Sequence, residues 1–143
     1  LQLQERLEKY DKLVLIARPE AIHAQQVIDG FLYYCIENEQ PYSIEPDIEA
    51  EHFCKGNAYI TFSRYDTDDV ELIKLAKKNN YELGRDIGLI SYNDTAVKGI
   101  LEGGITVIST DFEMMGKAAA SVILNKTIIY KRNPTKVIIR NSL

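Results

Sequence analysis

Leu13-Val14-Leu15-Ile16-Ala17 is a continuously apolar run rich in β-formers, and it decides the fold class. A strand with one wet face alternates apolar and polar residues. A run with no polar partner needs cover on both faces, the condition of a parallel strand between helical layers. Working outward, the same texture returns at Ala58-Tyr59-Ile60-Thr61-Phe62, introduced by Gly56-Asn57. It returns again at Ile87-Gly88-Leu89-Ile90-Ser91 after Gly84, and at Ile105-Thr106-Val107-Ile108 after Gly103-Gly104. Tyr42-Ser43-Ile44, between Pro41 and Pro46, is a further candidate strand, and Val137-Ile138-Ile139 is a last short one.

Between these runs the apolar spacing is helical. Leu3, Leu7 and Tyr10 stand at i, i+4 and i+7 in a charged context. Val27, Ile28, Phe31, Leu32 and Cys35 form a stripe on a helix expected from about Ala21 to Asn38. Asp66-Thr67-Asp68-Asp69 has N-cap and first-turn chemistry for a helix carrying Val70, Ile73 and Ala76. Asp111 is the expected N-cap of a helix to about Leu124, with Phe112, Met115, Ala119, Val122 and Ile123 on one side. Strands alternating with helices give an α/β fold: three αβα layers, a mostly parallel sheet and right-handed crossovers. Ligands of such sheets sit beyond the carboxyl ends of the strands. The segments to watch are therefore Arg18 to Glu20, Ser63 to Asp66, Tyr92 to Thr95, and Ser109 to Phe112.

A chain of 143 residues, 45% hydrophobic and 27% charged, suits one globular domain. No apolar run approaches the ~20 residues that span a bilayer. Leu1-Gln2-Leu3-Gln4-Glu5-Arg6 has neither the basic nor the apolar region of a signal peptide, and the absence of an initial Met suggests an excised piece. Seventeen basic against 21 acidic residues leave a net charge of −4. The basic residues are scattered rather than drawn into the stripe that releases phosphate counterions, so this segment is not expected to touch DNA. Cys35 and Cys54 are expected to be buried thiols of a cytoplasmic protein.

Several chemistries have no residues to carry them. No Walker loop, Gly-x-Gly-x-x-Gly turn or Gly-x-Ser-x-Gly elbow is present. His23 and His52 lie outside the post-strand loops, and His52-Phe53-Cys54 lacks a second ligand pair at zinc spacing, so neither metal nor cofactor is expected. Asp66, Asp94 and Asp111 fall at strand ends, where an acid–base pair would be built. Helix capping accounts for Asp66 and Asp111, and Asx-turn chemistry for Asn93-Asp94. The residues by themselves describe a small-molecule-binding α/β domain.

One stretch goes further. Gly84-Arg85-Asp86-Ile87-Gly88-Leu89-Ile90-Ser91-Tyr92-Asn93-Asp94-Thr95 resembles the G-x-D-(I/V)-x-(V/I)-x-G-(Y/F)-D-(D/N) segment of the lac repressor family's effector domain. Ile105 to Ala119 resembles that family's L-T-T-(I/V) strand with the helix that follows it. Ile28-Asp29-Gly30-Phe31 is similar to its R-x-x-G-F helix, Tyr65-Asp66 stands where N-D would, and Ile139-Arg140-Asn141-Ser142-Leu143 is similar to its R-x-S terminus. The wording around Ile90 to Asp94 and Gly104 to Phe112 most closely resembles a subgroup of bacterial GntR regulators, in which a winged helix precedes a lac-repressor-like effector domain.

The resemblance implies the second subdomain of a type I periplasmic-binding-protein-like fold. On it, residues 1–143 are a C-terminal effector-binding subdomain, and 105–125 are a crossover strand and helix that pack on a first subdomain outside this sequence. It implies a small, sugar-like effector held between two subdomains, DNA bound through an N-terminal domain elsewhere in the parent chain, a homodimer, and no membrane. Tyr65, Asp66, Asn93, Thr110 and Phe112 are the expected effector-binding residues, with Phe112 stacking and Asp66 and Asn93 hydrogen bonding.

Three departures bear on the ligand. Val27 stands where the family has a sugar-clasping Arg, Tyr65 where it has Asn, and Asn93 where it has the first Asp. Loss of that bidentate donor argues against a simple pyranose in the usual pose. The segment from Tyr42 to Lys55 is short for the family, so a helix is expected to be lost there. A transport-type solute-binding protein of the same fold and a small α/β enzyme are the alternatives.

Overall fold

The computed structural model describes residues 2–18, 24–62, 67–126, 128 and 132–143. In chain order these form α1 (Gln2–Leu7), β1 (Lys12–Ile16), α2 (Ala24–Glu37), β2 (Tyr42–Glu45), β3 (Asn57–Thr61) and α3 (Thr67–Lys78). Then come β4 (Gly88–Tyr92), β5 (Thr106–Thr110), α4 (Phe112–Asn125) and β6 (Thr135–Ile138), with single 3₁₀ turns at Ala50–His52 and Leu101–Gly103. The strands make one sheet in the order β2-β1-β3-β4-β5-β6. All neighbours are parallel except β5 and β6, which run antiparallel.

The apolar run from Leu13 to Ala17 is buried on both faces, as its composition requires. Leu13, Leu15 and Ala17 pack with Leu7, Tyr10, Phe31 and Cys35 beneath α1 and α2. Val14 and Ile16 point the other way, to Phe53, Tyr59, Leu72, Ile73 and Ala76 beneath α3. At roughly 1.5–3 kcal/mol for each fully buried aliphatic side chain, these two clusters hold the three layers together. The sheet fixes one close approach: a Cβ on Gly88 would lie 2.8 Å from the Tyr10 ring and 2.9 Å from Ala58 Cβ.

No α-helix follows β2, in line with the shortness of the segment. The reason lies in β2 itself. Ile44 joins the α1–α2 cluster, but the alternate residues Ser43 and Glu45 are polar and bond to each other, Ser43 Oγ donating to Glu45 Oε1 at 2.9 Å. That half of the sheet needs no apolar cover. Phe53, stacked between Tyr59 and Tyr81 at 5.1 and 6.0 Å, closes the layer instead.

Residues 139–143 run back between the amino-terminal ends of β4 and β5. Ser142 is the splint: its Oγ accepts from Thr106 N at 2.7 Å and donates to the Leu89 carbonyl at 2.6 Å. Leu89 N donates in turn to the Ser142 carbonyl at 2.8 Å.

Three expectations need correction. Cys54 is exposed, although Cys35 is buried; burial raises the Cys35 thiol to about 11. Cys54 lies in the turn that replaces a helix, where nothing packs over it. On α3, Val70 faces solvent and the buried face comprises Asp68, Asp69, Leu72, Ile73 and Ala76. The last strand is Thr135–Ile138 and does not include Ile139, because the chain turns there to insert its end between β4 and β5.

Candidate functional site

The carboxyl ends of β1, β3, β4 and β5 lie side by side and present the post-strand residues on one rim. Arg18, just past β1, donates from Nη2 to Asp47 at 2.9 Å and to Asp68 at 3.0 Å. Asp68 is almost wholly buried in the first turn of α3, where the helix dipole favours its charge. Among the described residues its Oδ2 has no hydrogen-bond partner.

Phe62 and Tyr92, at the ends of adjacent β3 and β4, are half-buried and in contact, with ring centroids 4.6 Å apart and planes tilted by 59°. An aromatic pair at this position offers an apolar surface to a ligand beside the charged Arg18 end.

Of the five residues expected from sequence, Tyr65 and Asp66 lie outside the described residues, as does the expected cap at Asp66. Asn93 and Thr110 are brought into direct contact. Asn93 sits in the left-handed region at φ 60°, its own N–H bonds to the Ile108 carbonyl at 2.9 Å, and its Oδ1 accepts the Thr110 N–H at 3.1 Å. The Oδ1 is therefore used by the fold. Phe112, two residues beyond Thr110, opens α4 and is 49% exposed. Asp111 caps that helix as expected, its Oδ1 accepting Met114 N at 3.0 Å.

Asp94 is turned away to a structural partner. Arg140 grips it through two parallel bonds of 2.8 Å, and this guanidinium holds the Asp94 carboxyl below the usual carboxylate range. Val27 packs against the α1–α2 cluster. The guanidinium at this rim comes from Arg18, just past β1.

A recess of about 680 Å³ opens at the opposite, amino-terminal end of the sheet, lined in part by Arg6, Lys9, Lys77, Gly84 and Arg85. Its cations are engaged locally: Lys77 by Glu102 and Arg85 by Glu82, Lys9 by the Gly84 carbonyl and Arg6 by that of Leu143. Size alone does not make it the site. Among the described residues no three His, Cys, Asp or Glu side chains are grouped to hold a metal ion, and no helix is long and apolar enough to cross a membrane.

Sequence reasoning passed over the Phe62–Tyr92 pair and the buried charges Asp68, Asp69 and Lys98. Two successive aspartates after a strand read as helix capping, and nothing in the spacing of Lys98 marks it as buried.

No protein-family model and no curated protein matches the chain. Solved structures do. A LacI family transcriptional regulator from Bifidobacterium animalis subsp. lactis superposes with a TM-score of 0.78 at 17% identity, over 99% of this chain and 59% of that one. The lac repressor dimer bound to operator and the anti-inducer ONPF gives 0.75 at 17% identity, over 99% and 48%. The transcriptional regulator CelR in complex with cellobiose gives 0.68 at 16% identity, over 99% and 49%. The chain thus spans about half to three-fifths of the length of the structures it matches, and over that part it shares the fold of LacI-type transcriptional regulators.

Proposed function

We propose that this chain is the effector-sensing subdomain of a cytoplasmic, dimeric DNA-binding transcriptional regulator. In this reading it holds a small polar, sugar-like molecule at the carboxyl ends of β1, β3, β4 and β5. The observation that carries it is the rim itself: a guanidinium at Arg18, an aromatic pair at Phe62 and Tyr92, and the Asn93–Thr110 pair share one end of a sheet with a regulator fold. Phe112 covers the rim from α4, and the family resemblance adds Tyr65 and Asp66, which lie outside the described residues, to the effector-binding set.

The behaviour of α4 supports a two-subdomain cleft. It buries none of its residues, with Ile123 at 76% and Leu124 at 80% exposure. A soluble protein seldom leaves such a stripe bare. The first subdomain, outside this chain, covers it, and residues 105–125 form the crossover. Ligand closes the two subdomains on each other because it touches both, which shifts the population toward one spacing of the DNA-binding heads. The wording from Ile90 to Phe112 supports a GntR-type winged helix as the DNA-binding part.

Calorimetric titration of the parent protein and of this 143-residue chain with ribose, glucose, maltose and cellobiose tests the reading. It predicts that one of these binds the parent and binds this chain far more weakly, because half a cleft leaves one face of the ligand in water. Equal affinity for both, or no binding by the parent, contradicts it.

A further inference from the structure

Beneath the rim lies a buried ionic network that neither helix nor strand periodicity called for. Asp69, 2% exposed in the first turn of α3, accepts from Thr61 Oγ1 on β3 at 2.6 Å and from Ser91 Oγ on β4 at 2.7 Å. Lys98, 3% exposed, brings its Nζ to 3.6 Å from Asp69 Oδ2. The same ammonium donates to the carbonyls of Tyr92 and Asn93, each at 3.0 Å. Asn93 then reaches Thr110 N through its Oδ1.

Stability does not explain such a pair. Burying a lysine and an aspartate costs desolvation, and well-packed apolar side chains of similar volume hold a core at least as well. Apolar side chains cannot do what this ammonium does, which is to hold two successive carbonyls, one of them in a left-handed turn, against the strand before them.

We propose that Asp69 and Lys98 are positioning residues of the candidate site. The pair fixes the Tyr92–Asn93 turn on β4, and through Asn93 it fixes the end of β5 from which α4 departs. The inference rests on the reading that the carboxyl ends carry the effector site. It adds the physical link from the floor of that site to the helix that leaves the sheet. Both ends of the link are short: Asp69 to Ser91 within α3 and β4, and Asn93 to Thr110 between β4 and β5.

Amide hydrogen exchange followed by NMR on the 143-residue chain tests this without any ligand. In Lys98→Met, Thr110 N–H is expected to exchange at least about tenfold faster, while Leu89 N–H, bonded to Ser142 at the far end of the sheet, keeps its rate. Asn93→Gly, which keeps the positive φ and removes the acceptor, is expected to give the same change at Thr110. Asn93→Asp, which keeps the acceptor, is expected to leave it protected. The double variant Lys98→Met with Asn93→Gly should add nothing at Thr110 beyond either single change. Asp69→Asn keeps one acceptor oxygen and removes the charge, so it serves if Lys98→Met does not fold and must show the same local pattern. An unchanged Thr110 rate, or a uniform acceleration of all amides, overturns the proposal. Its failure is separable from that of the functional reading, which fails by absence of sugar binding while the exchange pattern stands.

Discussion

Arg140 and Asp94 meet through two 2.8 Å bonds although 46 residues separate them, and the same guanidinium also donates to the Ile105 carbonyl at 2.9 Å. The pair ties the returning end of the chain to the turn beyond β4. Because the Asp94 carboxyl is held below its ordinary value, its stabilisation is complete above pH ~4 and is lost as pH falls through the folded-state pKa. Asp94→Asn is expected to cost about 1.5–3 kcal/mol at neutral pH. It is also expected to flatten the acid limb of a plot of urea-unfolding free energy against pH. An acid limb as steep as wild type would show that the pair contributes nothing to folding.

Ser142 makes two bonds that no other group replaces, to Thr106 N and to the Leu89 carbonyl. Ser142→Ala leaves both strands with an unsatisfied backbone group in a buried place, and a loss of about 2–3 kcal/mol in urea unfolding is expected. Ser142→Thr, which keeps the hydroxyl, separates the loss of bonds from the loss of space.

Tyr10 presents the opposite case. Its ring packs over Gly88, but its hydroxyl is buried and, among the described residues, has no hydrogen-bond partner. Burial raises the phenol to about 12. The folded state is therefore favoured below pH ~10 and loses this contribution as pH rises toward the folded value. Tyr10→Phe is expected to stabilise the chain by about 1 kcal/mol and to shorten the alkaline limb of its stability profile. Thermal unfolding at neutral and alkaline pH reads both effects.

The bare stripe on α4 predicts association of the isolated chain. Light scattering should show a species larger than the 16.3 kDa monomer as concentration rises. Val122→Lys, which places a charge within the stripe, should return it to monomer. A monomer at all concentrations, before and after the substitution, would mean that α4 folds back on its own sheet in solution.

How much of this was legible depends on the kind of force involved. Burial of both faces is written into Leu13 to Ile16, so the central strands and their layers followed directly from the sequence. Asp111 was legible as a cap because the side chain acts three residues away. The Asn93–Thr110 contact was legible only as proximity to strand ends; that its Oδ1 serves the fold became clear from the positive φ and the bond to Thr110 N. The pairing of Asp69 with Lys98 left no trace, since a buried ion pair is made by tertiary placement and has no period. Cys54 was misread for a related reason: the apolar Phe53 beside it is buried by stacking, and its neighbour is not.

On the proposed function, the carboxyl-end rim binds a small polar molecule. Amide NMR of this chain, titrated with ribose, glucose, maltose and cellobiose to concentrations that populate the weak binding of half a cleft, tests it most directly. The account predicts that one of these moves the resonances of Arg18, Tyr92, Asn93, Thr110 and Phe112 and leaves Gly84 and Ser142, at the other end of the sheet, in place. Shifts confined to the Gly84 end, or none at all from any of the four sugars, would contradict it.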